Sequence, residues 1–503
     1  MTRFLRNTNL ALLVLTLSAC ATIGEDKEEW VVGEDTIESQ AGDTSNQVGS
    51  TSAVTTNESN GGSSQSSSED AAEDVTDYVD QYTLPRSAAP IVEGTSAQTS
   101  TPIGQNTQAA VSPPSGVNVD SQTGFFPSIS IAVTSSHNPA REAGEDDETD
   151  TSVSIIPSLA YRGTVNNRHP YQLSVSTSFE DFDEFSELDN EFLSFNAAIK
   201  LDVSEKLQAD VYGNTETGSD PRGATATRIL DATTENDEYD RNTIGARVTL
   251  GRRTNPLQLV GGVETTDIDF TNNNQNQRDR DQNTVSGAAH WNVSPRTSVY
   301  LRLLQTDIDY DLAVTNNLDS TEFETTIGVG WEPSYTTSLL FEAGNIEKDF
   351  DRTRFTDSDV NSYRGRINWN PTADTTLSVY ASRRFEEATE LNSPFTVSDL
   401  LGLNLGHAFT ERLRAQAFVN FIDDDLENVR QDETLDYGIG LFYDIARWLT
   451  LGANWQRTQR DSTDPDAEYD SDSFTISATL RHTETGRFGQ PAVQTSPDAT
   501  VSE

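Results

Sequence analysis

Apolar and polar residues alternate along much of this chain, most plainly between Val285 and Phe385. Before one turn, Tyr363, Gly365, Ile367 and Trp369 fall on one side, and Arg364, Arg366 and Asn368 on the other. After it, Leu377, Val379 and Ala381 oppose Ser378, Tyr380 and Ser382. A period of two is that of a β-strand with one apolar and one polar face.

The pattern recurs. Trp291 is followed by Asn-Val-Ser-Pro-Arg-Thr-Ser, Trp331 by Glu-Pro-Ser-Tyr-Thr-Thr-Ser, and Trp369 by Asn-Pro-Thr-Ala-Asp-Thr-Thr. The tryptophans stand 40 and 38 residues apart, so the unit is an internal repeat. Each unit holds two strands joined by a short Pro-containing turn. Long acidic connections (Asp309–Thr321, Glu347–Asn361) lead to the next unit. Strands of about 9–11 residues, short turns at one end, long loops at the other and aromatics at the strand ends describe an outer-membrane β-barrel. A β-propeller repeats at about 40–45 residues but packs four short strands per blade, where only two longer ones fit here. A water-soluble sandwich would need its apolar face to meet a second sheet, and the N-terminus argues against that.

Met1–Ala19 reads as a targeting segment. Arg3 and Arg6 make it positive, Leu10–Leu17 is its apolar stretch, and Ser18 and Ala19 are small residues before a cut. The apolar run is too short to span a bilayer as a helix. Leu17-Ser18-Ala19-Cys20 looks like a bacterial lipobox, in which Cys20, the chain's single cysteine, is acylated. Ala21 after it resembles lipoproteins sorted to the outer membrane. Residues 20–120 form a linker rich in Ser, Thr, Gly, Asn, Gln, Asp and Glu, a composition that cannot offset the entropy of ordering. A coil of this length spans roughly 50–60 Å root-mean-square. Within it, Asp74–Leu84 reads either as a short docking helix or as plain disorder.

Residues 121–482 carry the barrel. About 18 strands are expected, among them Pro127–Thr134, Val153–Arg162, Leu193–Val203, Leu207–Gly213, Thr243–Gly251 and Leu257–Thr265. Leu413–Phe421, Leu435–Asp444, Leu449–Gln456 and Phe474–Arg481 follow. Short turns at Ser204-Glu205, Arg252–Asn255, Thr410-Glu411 and Ala446-Arg447 all fall on one side of the alternation. Long loops at Asn138–Asp150, Asp181–Asn190, Thr215–Asp240, Thr271–Gln282 and Asp461–Asp472 fall on the other. An even count puts both termini at the short-turn, periplasmic side, consistent with a tethered N-terminus. A polar tail occupies 483–503, without the terminal aromatic strand end many barrels carry; Phe488 is a candidate substitute.

The chain of 503 residues has a formal net charge of −47 and is 34% hydrophobic. That is too polar for a helical membrane protein, but a barrel needs an apolar residue only at every second strand position. The acid excess argues against nucleic acid, whose phosphates require Lys and Arg. One cysteine excludes an intramolecular disulfide framework.

If the apolar face meets lipid, the polar face lines a lumen and its charges set selectivity. Arg302, Arg364, Arg366, Arg384 and Arg414 point inward on this register, as do Arg162, Lys200, Arg247 and Arg481. Glu322, Glu324, Glu332 and Glu342 point inward from the strands just before the last arginines. A basic wall facing an acidic one is expected, with Tyr212 and Tyr380 as stacking surfaces. The alternative is that Arg and Glu pair across neighbouring strands and only stabilise the barrel. Trp291, Trp331 and Trp369 would form an aromatic girdle in the lipid interface.

Catalytic and metal-binding constellations are missing. His137, His169, His290, His407 and His482 lie scattered, none with metal-ligand spacing to another His or to Cys. No enzyme, cofactor or metal is expected; His290 with a nearby Ser is the nearest thing to a barrel-wall hydrolase site. Asp307-x-Asp309-x-Asp311 begins like a calcium loop, but Leu312 stands where Gly is needed. The acidic runs at Glu145–Asp150 and Asp423–Asp425 read either as solvated charge or as divalent-ion bridges to lipopolysaccharide.

Several segments resemble a known family: Phe126-Pro-Ser-Ile-Ser-Ile-Ala-Val-Thr, Pro221-Arg-Gly, Tyr239-Asp-Arg-Asn-Thr and Gly251-Arg-Arg. Thr306-Asp-Ile-Asp-Tyr-Asp-Leu, Leu318-Asp-Ser-Thr-Glu-Phe and Glu347-Lys-Asp-Phe-Asp continue the likeness. Together they are similar to the putative β-barrel porin 2 family, outer-membrane barrels often found with exopolysaccharide biosynthesis and secretion genes. The resemblance covers about Phe125–Arg481. It implies a barrel associated with exopolysaccharide production and supplies no catalytic residues. The lipobox and acidic linker depart from the family's usual plain signal peptide.

Three readings stand at this point. The first is an outer-membrane barrel of a Gram-negative cell that assists export of an anionic exopolysaccharide, lipid-anchored, with a periplasmic N-terminus and periplasmic export partners. The second is a general diffusion porin. The third is a non-conducting lipidated anchor that recruits a periplasmic protein.

Overall fold

The structure, a computed structural model, describes residues 124–481 except 145–147, 221, 223–233, 253, 312–317, 353–354 and 388–392. The expected signal peptide, Cys20 lipobox, linker, acidic residues 145–147, His482 and the tail at 483–503 lie outside the described residues.

Among the described residues, eighteen strands follow one another. They are β1 (Gly124–His137), β2 (Thr149–Val165), β3 (His169–Phe182), β4 (Asn190–Ser204), β5 (Leu207–Ser219) and β6 (Glu238–Leu250). Next come β7 (Leu257–Phe270), β8 (Arg280–Ser294), β9 (Thr297–Tyr310), β10 (Ser320–Ser334), β11 (Thr337–Phe350) and β12 (Ser358–Thr372). The last six are β13 (Thr375–Glu386), β14 (Thr396–Ala408), β15 (Leu413–Leu426), β16 (Arg430–Ala446), β17 (Leu449–Ser462) and β18 (Tyr469–Arg481). Each pairs antiparallel with its chain neighbours, and β1 pairs with β18, so the sheet closes on itself. Among the described residues no helix is long and apolar enough to cross a membrane; the crossing elements of this protein are strands.

The alternation decides which side faces out. Leu301 and Leu303 on β9, Ile327 on β10 and Phe341 on β11 are exposed on the outside, while Arg302, Thr326 and Glu342 beside them are buried on the inside. The repeated tryptophans sit where strands turn back. Trp331 and Trp369 each precede a register shift, completed at Ser334 and Thr372, which places Pro333 and Pro371 where no ladder hydrogen bond is asked of them.

The strands run longer than the apolar alternation suggests, from 12 residues in β13 to 17 in β2 and β16. Residues expected in long loops, such as Asp309, Glu347–Phe350, Thr215–Ser219 and Tyr469–Asp472, continue the ladders. The reason is an inversion of phase. At the long-loop end Asp267, Asp269, Asp307, Asp309, Glu347 and Asp349 occupy outward positions. Ile268, Phe270, Ile308, Tyr310 and Phe350 are buried on the inside. The backbone pairing is indifferent to which face is apolar; only the surroundings change, from hydrocarbon to water.

Candidate channel wall

Three tyrosines stitch the inner wall in the same way. Tyr212 on β5, Tyr300 on β9 and Tyr380 on β13 each stand directly opposite a glycine of the next strand: Gly245, Gly328 and Gly402. Each ring lies flat over its glycine. A Cβ on Gly328 would sit 2.2 Å from the Tyr300 ring, so any side chain there would push the ring away. Each hydroxyl then donates to the side chain opposite that glycine on the strand beyond. Tyr212 reaches Glu264 Oε2 at 2.6 Å, Tyr300 reaches Glu342 Oε1 at 2.7 Å, and Tyr380 reaches Asn420 Oδ1 at 2.6 Å. Each tie spans three strands of wall. The tyrosines expected as open stacking surfaces are therefore built into the wall, with Tyr212 buried and Tyr380 partly so.

The expected basic and acidic walls are interleaved rather than opposed. Arg302 Nη2 lies 3.2 Å from Glu324 and 3.1 Å from Glu342. Arg364 Nη1 joins Glu342 at 3.0 Å, and Ser362 donates to Glu324 at 3.3 Å. Consecutive strands β9–β12 thus supply one connected network, because residues spaced by a hairpin come to lie side by side. Lys348 pairs with Glu322 at 3.2 Å, and Arg384 Nε donates to Glu386 at 2.9 Å along its own strand. Arg414 meets Asp444 at 3.2 Å, Arg247 meets Asp210 at 2.9 Å, and Arg366 stands opposite Tyr380. A buried guanidinium or ammonium needs such a partner, since an uncompensated charge away from water is expensive.

Nearly half the circumference away, β18, β1 and β2 present a different inner surface. Ser130 and Thr479 are 3.0 Å apart, Thr134 and Thr475 3.0 Å, and Ser128 and Ser158 2.6 Å, each pair through its hydroxyls. Ser152 and Ser154 continue this hydroxyl face on β2. The small residues were visible in the sequence. Their gathering into one wall required the closing pair of β1 with β18.

Trp291, Trp331 and Trp369 all project outward at the short-turn end, where Tyr335, Phe409 and Trp448 are likewise exposed. His290 is buried on the inner wall with its ring 4.6 Å from that of Tyr300. Among the described residues no group of three or more His, Cys, Asp or Glu could hold a metal ion.

Among solved structures, the chain is similar to the Pseudomonas aeruginosa protein OccK2 (OpdF), at 11% identity and a TM-score of 0.42, over 72% of this chain and 99% of that one. P. aeruginosa OpdK, solved with vanillate, gives 10% identity and 0.41, over 71% of this chain and 99% of that one. The siderophore receptor PiuA from Acinetobacter baumannii gives 10% identity and 0.39, over 72% and 82%. A search of curated proteins finds no match. A closed 18-strand antiparallel barrel with an apolar outside and polar inside is an outer-membrane, porin-like architecture. The family model described as Putative beta-barrel porin 2 matches residues 114–482, and the chain belongs to that family.

Proposed function

We propose that this barrel is an aqueous conduit that assists export of an exopolysaccharide across the outer membrane. The observation that carries this reading is the inner hydroxyl wall of β18, β1 and β2 in an 18-strand cylinder. Barrels of 16–18 strands are wide enough to leave a water-filled lumen. Ser130, Thr134, Ser152, Ser154, Thr475 and Thr479 are buried in this state; where the lumen opens over them, they offer a sugar chain hydroxyl partners of similar strength to its own. The opposite wall is charged, but its arginines are matched by carboxylates, so it contributes at most a mild preference for acidic sugars through Arg364 and Arg366.

In the same reading, the short-turn end that carries both Gly124 and Arg481 faces the periplasm, and Cys20 carries the lipid that tethers the linker there. Divalent ions and lipopolysaccharide phosphates are the natural company of the acidic outer rim. A second reading, a diffusion porin for small solutes, shares the polar lumen and differs in cargo.

The test is planar-bilayer conductance of the purified full-length barrel, with polymer secretion by cells in which its gene is deleted and restored. Conductance that polymer fragments block from one side, together with lost secretion, supports export. Conductance with intact secretion leaves the diffusion porin. Absence of any conductance overturns both.

A further inference from the structure

One hairpin does not follow the wall. The register of β12 with β13 ends at Tyr363–Arg383, although β12 begins at Ser358 and β13 continues to Glu386. Above that point the β13–β14 hairpin leans away. Phe385 and Val397 stand directly opposite one another at outward positions of their strands, in phase with Val379 and Leu401. Leu401 is 55% exposed, as an outward residue should be, yet Phe385 and Val397 are 3% and 9% exposed.

They belong to one buried cluster with Ile346 and Phe350, inward-pointing residues of β11. Phe395 completes the contact, 6.3 Å from the Phe350 ring and edge-on to Phe385 at 4.9 Å. The outer face of one hairpin can meet the inner face of β11 only if the hairpin has turned into the barrel mouth. Glu387, immediately after β13, marks how far it goes. It accepts a 2.6 Å hydrogen bond from the hydroxyl of Tyr310 on β9, four strands back, and pairs with Lys348 on β11. Burial works against the charge of Glu387. Lys348, Arg280 and the Tyr310 hydroxyl outweigh it and hold the carboxyl below the usual glutamate range. Lys348 keeps its second carboxylate, Glu322, at 3.2 Å.

We propose that the inturned ends of β13 and β14, carrying Phe385, Glu387, Phe395 and Val397, form the constriction of this channel at its long-loop mouth, latched by Glu387, and that they set the size of the hydrophilic chain or solute that passes. Phe385, Phe395 and Val397 seal it by burying apolar surface against Ile346 and Phe350. The open ladder above Tyr363 supplies the hinge, because β12 has backbone there to which β13 returns when the latch is released. The constriction rests on the conduit reading and adds to it the residues that limit the pore.

The experiment compares full-length wild type, Glu387→Gln and the double variant Phe385→Ala with Phe395→Ala. Glu387→Gln keeps an acceptor for Tyr310 but removes the charge facing Lys348, a change small enough to leave folding intact, which heat-modifiability on gels checks. Single-channel conductance should rise about 2-fold or more, with a larger cut-off for neutral polyethylene glycols, since pore diameter governs both. Separately, a cysteine placed by Val397→Cys is protected from a membrane-impermeant maleimide in the latched form and reacts several-fold faster with Glu387→Gln. Conducting channels with unchanged conductance in both variants overturn the constriction and leave the conduit, whether or not labelling rises. Faster labelling in a barrel that never conducts overturns the conduit, and the size filter with it.

Discussion

The lipid-facing belt and the rim above it are made by the same strands with opposite polarity. On β9, Val299, Leu301 and Leu303 face out beneath Asp307 and Asp309, while Arg302 faces in beneath Ile308 and Tyr310. On β11, Phe341 faces out beneath Glu347 and Asp349, while Glu342 faces in beneath Ile346 and Phe350. In the belt the outside must be apolar because hydrocarbon solvates nothing else, and the inside holds charges that find partners. In the rim the outside meets water, and the inside is narrow enough to bury aromatic rings. A strand therefore needs no change in backbone to pass from one solvent to the other. Only the phase of its alternation shifts, and the inturned hairpin uses the apolar interior this creates.

The sharpest break of the contrast is Glu342→Ala, which leaves Arg302, Arg364 and Tyr300 short of their shared acceptor inside the belt. The expected loss is about 3–5 kcal/mol, read from urea unfolding in lipid vesicles. Leu301→Arg on the outer belt should cost about 2–4 kcal/mol in the same assay, near the bilayer midplane. Gly328→Ala tests the tyrosine ties: the Tyr300 ring must move off the new methyl, for about 1–3 kcal/mol. Trp331→Ala and Trp369→Ala should each lower the yield of heat-modifiable barrel on gels, at about 1 kcal/mol or less. Smallest of all, Asp309→Arg on the rim should shift stability by no more than about 0.5 kcal/mol. A large loss there, or none for Leu301→Arg, would mean the boundary between belt and rim is misplaced.

Much of the barrel was legible in the residues. Period-two runs such as Tyr363–Trp369 and Leu377–Ala381 fall in β12 and β13, and the short turns expected at Ser204-Glu205 and Ala446-Arg447 lie one residue later, at Glu205-Lys206 and Arg447-Trp448, between the same strands. Segments like Glu347–Phe350 look like loop in the sequence because charged outward residues imitate a solvated connection. The Tyr–Gly ties escaped because Tyr300, Gly328 and Glu342 are neighbours only across three strands. The hairpin escaped for a related reason, since Glu387 and Tyr310 are far apart in the chain.

The residues of one strand specify its period, its apolar face, its turn chemistry and the tryptophans at its ends. These are local, because side chains on a pleated strand alternate whatever lies beyond. What depends on closure emerges in the folded barrel: that β1 and β18 join into a hydroxyl wall, that Arg302 and Glu342 share one network rather than face each other, and that β13 and β14 bend into the mouth. Each brings together residues from different hairpins, and no pattern within a single strand records which partner waits on the next.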